Sequence, residues 1–227
     1  MDLKSGYFVG SLILGIPYFL IFLVRKDLRR EMLFGGTLLL PFALLAPFYI
    51  PEYWDPPYLF DYIYPFKVGI EDFIFCFFVG GISAVIFEFI TKRKEVKIRK
   101  IKSGINWWPY LFVVFLLLVG EHFFPNRSII TLTLTGIVAA SIGILKRGDL
   151  LWQSIFAGVL FTAFYFLFFK LFSFLYPSYI DLVYQHNNLF GIYVAGIPVE
   201  ELLFAFSTGA SWSIFYEFTF SYKTVKK

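Results

Sequence analysis

The chain has 227 residues, 59% of them hydrophobic and 23% aromatic, with a mean hydropathy of +0.72; only 16% are charged, against about 25% in a typical soluble domain. That composition excludes an ordinary water-soluble fold, and the length allows about seven spans of roughly 20 residues each with no room for a separate soluble domain. The net charge of +4 reads as membrane orientation rather than nucleic-acid binding, and the single cysteine, Cys76, excludes a disulfide framework or a Cys-rich metal site within the chain.

The first apolar run, Tyr7–Val24, is too long for the core of a signal peptide and is followed, not preceded, by Arg25, Lys26, Arg29 and Arg30, so it is expected to remain as a helix over 6–24. Further apolar runs bounded by charge or proline predict helices over 31–50, 68–91, 107–124, 127–145, 151–173 and 190–220. The segments 25–30, 92–102, 146–147 and 223–227 hold 16 of the 20 lysines and arginines and fall in every second connection. By the positive-inside rule they face the cytoplasm, giving an N-outside, C-inside topology for a multi-pass protein of the cell membrane. The remaining connections, 51–66, 121–128 and 177–188, are aromatic and poor in basic residues, with Tyr53, Trp54 and Tyr58 read as interfacial anchors.

The third span resembles the seventh. Glu71-Asp72-Phe73-Ile74-Phe75-Cys76-Phe77 aligns with Glu200-Glu201-Leu202-Leu203-Phe204-Ala205-Phe206, Gly80 with Gly209, and Phe87-Glu88-Phe89 with Tyr216-Glu217-Phe218. Upstream, Asp27-Leu28 and Leu33-Phe34-Gly35-Gly36 align with Asp149-Leu150 and Ile155-Phe156-Ala157-Gly158. Helices 1–3 are therefore expected to recur as 5–7 in parallel orientation about a pseudo-twofold axis along the membrane normal. The fold expected is all-α, with a first repeat over 1–106, a linker helix over 107–125 and a second repeat over 126–227.

A charged side chain at the centre of a membrane helix costs about 2.5–3.5 kcal/mol on insertion scales, so such residues require a purpose or a partner. Glu71, Asp72, Glu200 and Glu201 form two adjacent pairs just inside the outer ends of their helices. Neighbours on a helix point about 100° apart, so one member of each pair can face the bundle centre while the other supports it from a seam between helices. In such a site one carboxyl is expected to hold a proton while another acts as base, an acid/base set suited to an apolar substrate. Glu200, Phe204, Ser207, Thr208 and Ser211 follow helical spacing and are expected to line the cavity, with Phe75 and Phe204 as π-faces for a developing cation. Glu88 and Glu217 lie about 25 Å further along at 1.5 Å per residue and are expected to pair with Lys92, Arg93 or Lys223. Glu121, His122, His186, Asn187 and Asn188 are placed at the cavity mouth, and without HxxxH or HExxH spacing no metal is expected.

The segment Gly196-Ile197-Pro198-Val199-Glu200-Glu201-Leu202-Leu203-Phe204, followed by Phe215-Tyr216-Glu217, resembles the P-x-E-E-x-x-F signature of the lycopene cyclase domain family, the non-flavin integral-membrane carotenoid cyclases found as heterodimers or fused repeats. Pro198, Glu200, Glu201 and Phe204 fit the pattern, and so do Glu71, Asp72 and Phe75 in the first copy. Gly69 stands there in place of proline, and Cys76 and Ala205 occupy positions where the family often has a second Phe. The resemblance implies cyclisation of a lycopene-type end to a β-ionone ring without net redox change. A carboxylic acid protonates the terminal double bond, the internal double bond attacks the tertiary cation, and a base removes a proton. The implied partners are a lipophilic carotenoid or other isoprenoid and the lipid bilayer, with no nucleic acid. No cofactor is expected, since neither a dinucleotide fingerprint nor a phosphate-binding loop is present.

The alternative is a non-catalytic carotenoid or isoprenoid binder, or a cyclase partner subunit. Three other membrane classes fit less well. A Glu-Glu-x-x-x-Arg protease would need Arg where Ala205 stands, a retinal pigment would need a lysine between Asn188 and Tyr222, and a prenyltransferase would need DxxxD motifs.

Overall fold

The computed structural model describes residues 2–60, 67–98, 108–124 and 127–226. The parts of the predicted connections at 61–66, 99–106 and 125–126, the expected start of the linker helix at 107 and the repeat boundaries at 106–107 and 125–126 lie outside the described residues.

In chain order the elements are α1 (Gly6–Val24), α2 (Arg29–Leu39), α3 (Ala46–Tyr49), α4 (Ile70–Thr91), β1 (Arg93–Lys97), α5 (Trp108–Phe123) and α6 (Ser128–Lys146). There follow α7 (Leu151–Leu175), α8 (Tyr179–Val183), β2 (Tyr193–Val194), β3 (Ile197–Pro198), α9 (Val199–Phe220) and β4 (Tyr222–Lys226). Among the described residues five helical stretches are long and apolar enough to cross a membrane: Leu3–Val24, Lys26–Tyr49, Ile70–Thr91, Ser128–Lys146 and Gly148–Leu175. This is a multi-pass, all-α membrane protein. Its outer surface carries the side chains that water would reject, such as Leu23, Leu145 and Phe174, whereas Ser11, Ser83, Gln153, Ser154 and Ser213 are buried inside.

Two predicted helices differ in detail. The stretch expected as one helix over 31–50 is α2, a 3-10 segment (Leu40–Leu45) and α3 in succession. Pro41 and Pro47 cause this: neither can donate the backbone N–H that a continuous helix needs, and each sits in the first turn of the piece it begins. The last helix was expected from 190 but begins at Val199. Before it, β2 and β3 form a short hairpin whose turn residues Ala195 and Gly196 both have positive φ, the conformation a two-residue hairpin turn demands.

Packing is organised around α4 and α9. α4 packs on α1 and α2, α9 packs on α6 and α7, and the two central helices pack on each other. The crossings rely on glycine. A Cβ on Gly80 would lie 2.5 Å from the Gly35 carbonyl oxygen, and one on Gly209 would lie 2.7 Å from the Ala157 carbonyl oxygen. Without a hydrophobic drive between helices in lipid, this close approach of backbones is what joins them.

At the basic end of the bundle α4 and α9 terminate at Lys92 and Ser221, both left-handed, and continue into β1 and β4. These pair as an antiparallel ladder, a feature the composition of this connection did not suggest. Arg25 forks onto Asp27 and donates to the carbonyls of Glu88 (3.0 Å) and Arg93 (2.5 Å). Arg147 forks onto Asp149 and donates to the carbonyls of Glu217 (3.3 Å) and Tyr222 (2.9 Å). Each arginine thereby caps the C-terminal carbonyls of a central helix.

Candidate functional site

A cavity of about 180 Å³ lies at the centre of the bundle, walled by residues of α1, α4, α6, α7, α9 and the connection between α3 and α4. Its lining is almost wholly apolar and aromatic, and among the described residues two carboxylates reach it, Asp72 and Glu201. Both occupy the first turn of their helices and are buried, 4% and 5% exposed.

Each carboxylate accepts three hydrogen bonds. Asp72 accepts from the hydroxyls of Tyr7 and Tyr58, both at 2.8 Å, and from the Gly69 backbone N–H at 2.8 Å, which also caps the start of α4. Glu201 accepts from the hydroxyls of Tyr53 (2.8 Å), Tyr184 (2.9 Å) and Tyr165 (3.2 Å). Burial first, and then the neighbouring carboxylate, push the hydroxyls of Tyr53, Tyr58 and Tyr184 well above the ordinary tyrosine range. They therefore stay protonated and act as fixed donors.

The adjacent carboxyls point elsewhere. Glu71 accepts from the backbone N–H groups of Leu59 (3.0 Å) and Phe60 (3.2 Å), and Glu200 accepts a short hydrogen bond from the Phe190 N–H. Neither lines the cavity. They tie the connections that precede α4 and α9 to the helix starts, so each pair has an inward member and a loop-holding member. The expectation that Glu200 lies on the cavity stripe is corrected, because the first turn of α9 turns Glu201 inward.

The rest of the stripe is in place. Phe75, Phe204, Ser207, Thr208 and Ser211 all line the cavity. The Ser207 hydroxyl donates to the Phe204 carbonyl and that of Ser211 to the Ser207 carbonyl, so these groups are satisfied by their own helix and leave the wall effectively apolar. Three other expectations are corrected. Tyr53 and Tyr58 are not simple interfacial anchors but hold the two inward carboxylates, and Trp54 lines the cavity. Glu121, His122, His186, Asn187 and Asn188 do not border the cavity: Glu121 accepts from Ser128 Oγ (2.6 Å), and His186 bonds Tyr193 and the Asp181 carbonyl. Glu88 and Glu217 pair with no lysine or arginine side chain among the described residues; both are fully buried.

Sequence reading missed Tyr7, Tyr165 and Tyr184. Tyr7 and Tyr165 are among the few strong side-chain donors in their apolar runs, a faint signal among 32 Phe and 15 Tyr residues.

No curated protein and no solved structure matches the chain. Residues 126–219, which contain Glu200, Glu201 and the α6, α7 and α9 walls of the cavity, match the family model described as lycopene cyclase. An apolar cavity with inward carboxylates, about half of whose lining comes from the matched segment, agrees with that similarity to the lycopene cyclase family.

Proposed function

We propose that the protein is a membrane carotenoid cyclase that closes a lycopene-type end into a β-ionone ring. One observation carries the reading: Asp72 and Glu201, at aligned positions of α4 and α9, are the two carboxylates of an otherwise apolar cavity. Its volume of about 180 Å³ slightly exceeds that of a roughly 150 Å³ cavity known to bind benzene. That is the scale of one small ring, with the remaining polyene extending out of the cavity.

In the proposed reaction one of the two carboxyls, in its acid form, gives its proton to the terminal C=C bond. The resulting tertiary cation sits among aromatic faces that include Phe75 and Phe204. The internal C=C pair attacks it, forming the ring C–C bond and moving the positive charge into the ring. The other carboxylate takes a ring proton, and the electron pair of that C–H bond becomes the new double bond. One proton enters and one leaves, with no change in oxidation state. The tyrosines fix both carboxyl groups and remain donors throughout. Glu71 and Glu200 serve the site indirectly, by holding the loops that close its end.

The reading extends to the architecture. We take α5 and α9 as spans also, which makes seven with α2 to α3 as one. The units 1–106 and 126–227 are parallel repeats joined through 107–125, with the N-terminus outside, the C-terminus inside and the cell membrane as location. The aligned arginine caps and glycine crossings support it.

Chromatographic pigment analysis after co-expression with lycopene synthesis tests the function. Cyclised product is expected from the wild-type chain. Unchanged lycopene that merely co-purifies with well-expressed protein would overturn the cyclase in favour of a binder.

A further inference from the structure

A second group of carboxylates lies at the opposite end of the bundle from the cavity. Glu31 on α2, Glu95 on β1 and Glu217 on α9 converge so that one oxygen of each lies within 4.8 Å of the others. Glu88, near the end of α4, is fully buried and close enough to Glu217 and Glu95 to interact with both, and neither of its oxygens has a donor among the described residues. Both oxygens of Glu31, one of Glu95 and one of Glu217 also lack donors among the described residues. Among the described residues Arg25 is turned to Asp27 and backbone carbonyls, and Arg147 to Asp149 and backbone carbonyls.

The excess of acid is specific to one half. In the alignment of Asp27 with Asp149, Glu31 falls on Gln153, and in the alignment of Glu88 with Glu217, Glu95 falls on Thr224. In the second half Gln153 and Thr224 are satisfied: Gln153 donates to Glu217 Oε1 (2.6 Å) and accepts from Thr224 Oγ1 (3.2 Å). Its first-half counterpart replaces amide and hydroxyl by two carboxyls.

We propose that Glu31, Glu95 and Glu217, with the buried Glu88 carboxyl adding negative charge beside them, bind a hard divalent cation of the magnesium, manganese or calcium class. An all-oxygen, all-carboxylate donor set selects such ions. Three oxygens each within 4.8 Å of the others lie no more than about 2.8 Å from a common centre, so a small inward movement brings them to the roughly 2.3–2.6 Å of calcium ligation. Gln153 orients Glu217 from outside and leaves its second oxygen free to coordinate. Glu95 is only partly buried and opens the site to the basic end of the bundle. Because the ligands come from α2, β1 and α9, a bound ion ties the two halves together away from the cavity.

The test is a Mn²⁺ titration of the full-length, EDTA-stripped protein in detergent at neutral pH, followed by electron paramagnetic resonance, with Mg²⁺ and Ca²⁺ as competitors. One saturable site per chain, accompanied by a rise in melting temperature, is expected. The Glu31→Gln/Glu95→Thr double variant copies the satisfied set of the second half, and it should lose affinity by more than the roughly 10–100-fold that an outer-shell change costs. The single variant Glu95→Thr, at a partly exposed position, provides the same readout should the double variant not fold. Glu201→Gln should leave Mn²⁺ binding unchanged. Absence of saturable binding to folded wild type, or equal binding by the variants, would overturn the site. A melting temperature that responds to acid but not to Mn²⁺ or EDTA would also overturn it, identifying shared protons as the stabilising element.

Discussion

At the aromatic end of the bundle Asp72 and Glu201 each accept three hydrogen bonds, whereas at the basic end Glu31 and Glu88, at least as deeply buried, accept none. Burial therefore does not distinguish the two sets; the donors do. Tyrosine hydroxyls around Asp72 and Glu201 hold them in fixed positions against an apolar chamber, an arrangement suited to moving protons on a hydrocarbon. Carboxyls that face one another with no donor are costly unless something positive or protic joins them. One end thus has the makings of acid/base chemistry, and the other the makings of a cation site.

The largest expected difference lies within the aromatic end, between inward and loop-holding carboxyls. Glu201→Gln and Asp72→Asn should each lower product formation by about 10²–10⁴-fold or more, the scale of general acid–base catalysis. Glu71→Gln and Glu200→Gln should lose far less, because they keep an acceptor for the loop N–H groups. Chromatography of pigments from cells with matched protein levels measures this, and equal losses in all four variants would erase the division.

Next in size is a contrast of sign between the ends. In EDTA, Glu88→Gln should stabilise the protein by about 1–3 kcal/mol, since it removes a buried group without donors. Glu201→Gln should destabilise it by about 1 kcal/mol, since one of its hydrogen-bond acceptors becomes a donor facing tyrosines. Melting curves in detergent measure both, and shifts of the same sign would show that the donors do not govern these sites.

A smaller effect should follow pH at the basic end. Burial pushes the Glu95 carboxyl above its ordinary range, partly offset by its contact with Glu31. A carboxyl raised in the folded state contributes stability below its unfolded pKa, and that contribution is lost as pH rises through the folded value. Without divalent cations the melting temperature should therefore fall as pH rises from acid through the raised value, and Glu95→Thr should flatten the slope. The smallest change is expected from Tyr165→Phe, which removes the longest of the three bonds to Glu201, at 3.2 Å, and should cost about 0.5–1.5 kcal/mol.

Apolar runs, basic connections and paired acids are local properties, and they suffice to read a multi-pass helical protein with Glu71, Asp72, Glu200 and Glu201 near one end of two related helices. The prolines that divide the second span and set the start of α9, Pro41, Pro47 and Pro198, are equally local, and each interrupts the helix that the apolar run alone suggests. Which acid of each pair faces inward depends on what packs around it. Glu201 is held by Tyr53, 148 residues away in the chain, and Asp72 by Tyr7, 65 residues away. The convergence of Glu31, Glu95 and Glu217 likewise needs α2, β1 and α9 brought together. Periodicity along one helix reports which residues share a face. It carries no information about the distant donor, or the missing one, that the assembled bundle sets against that face, and a buried charge is governed by that partner.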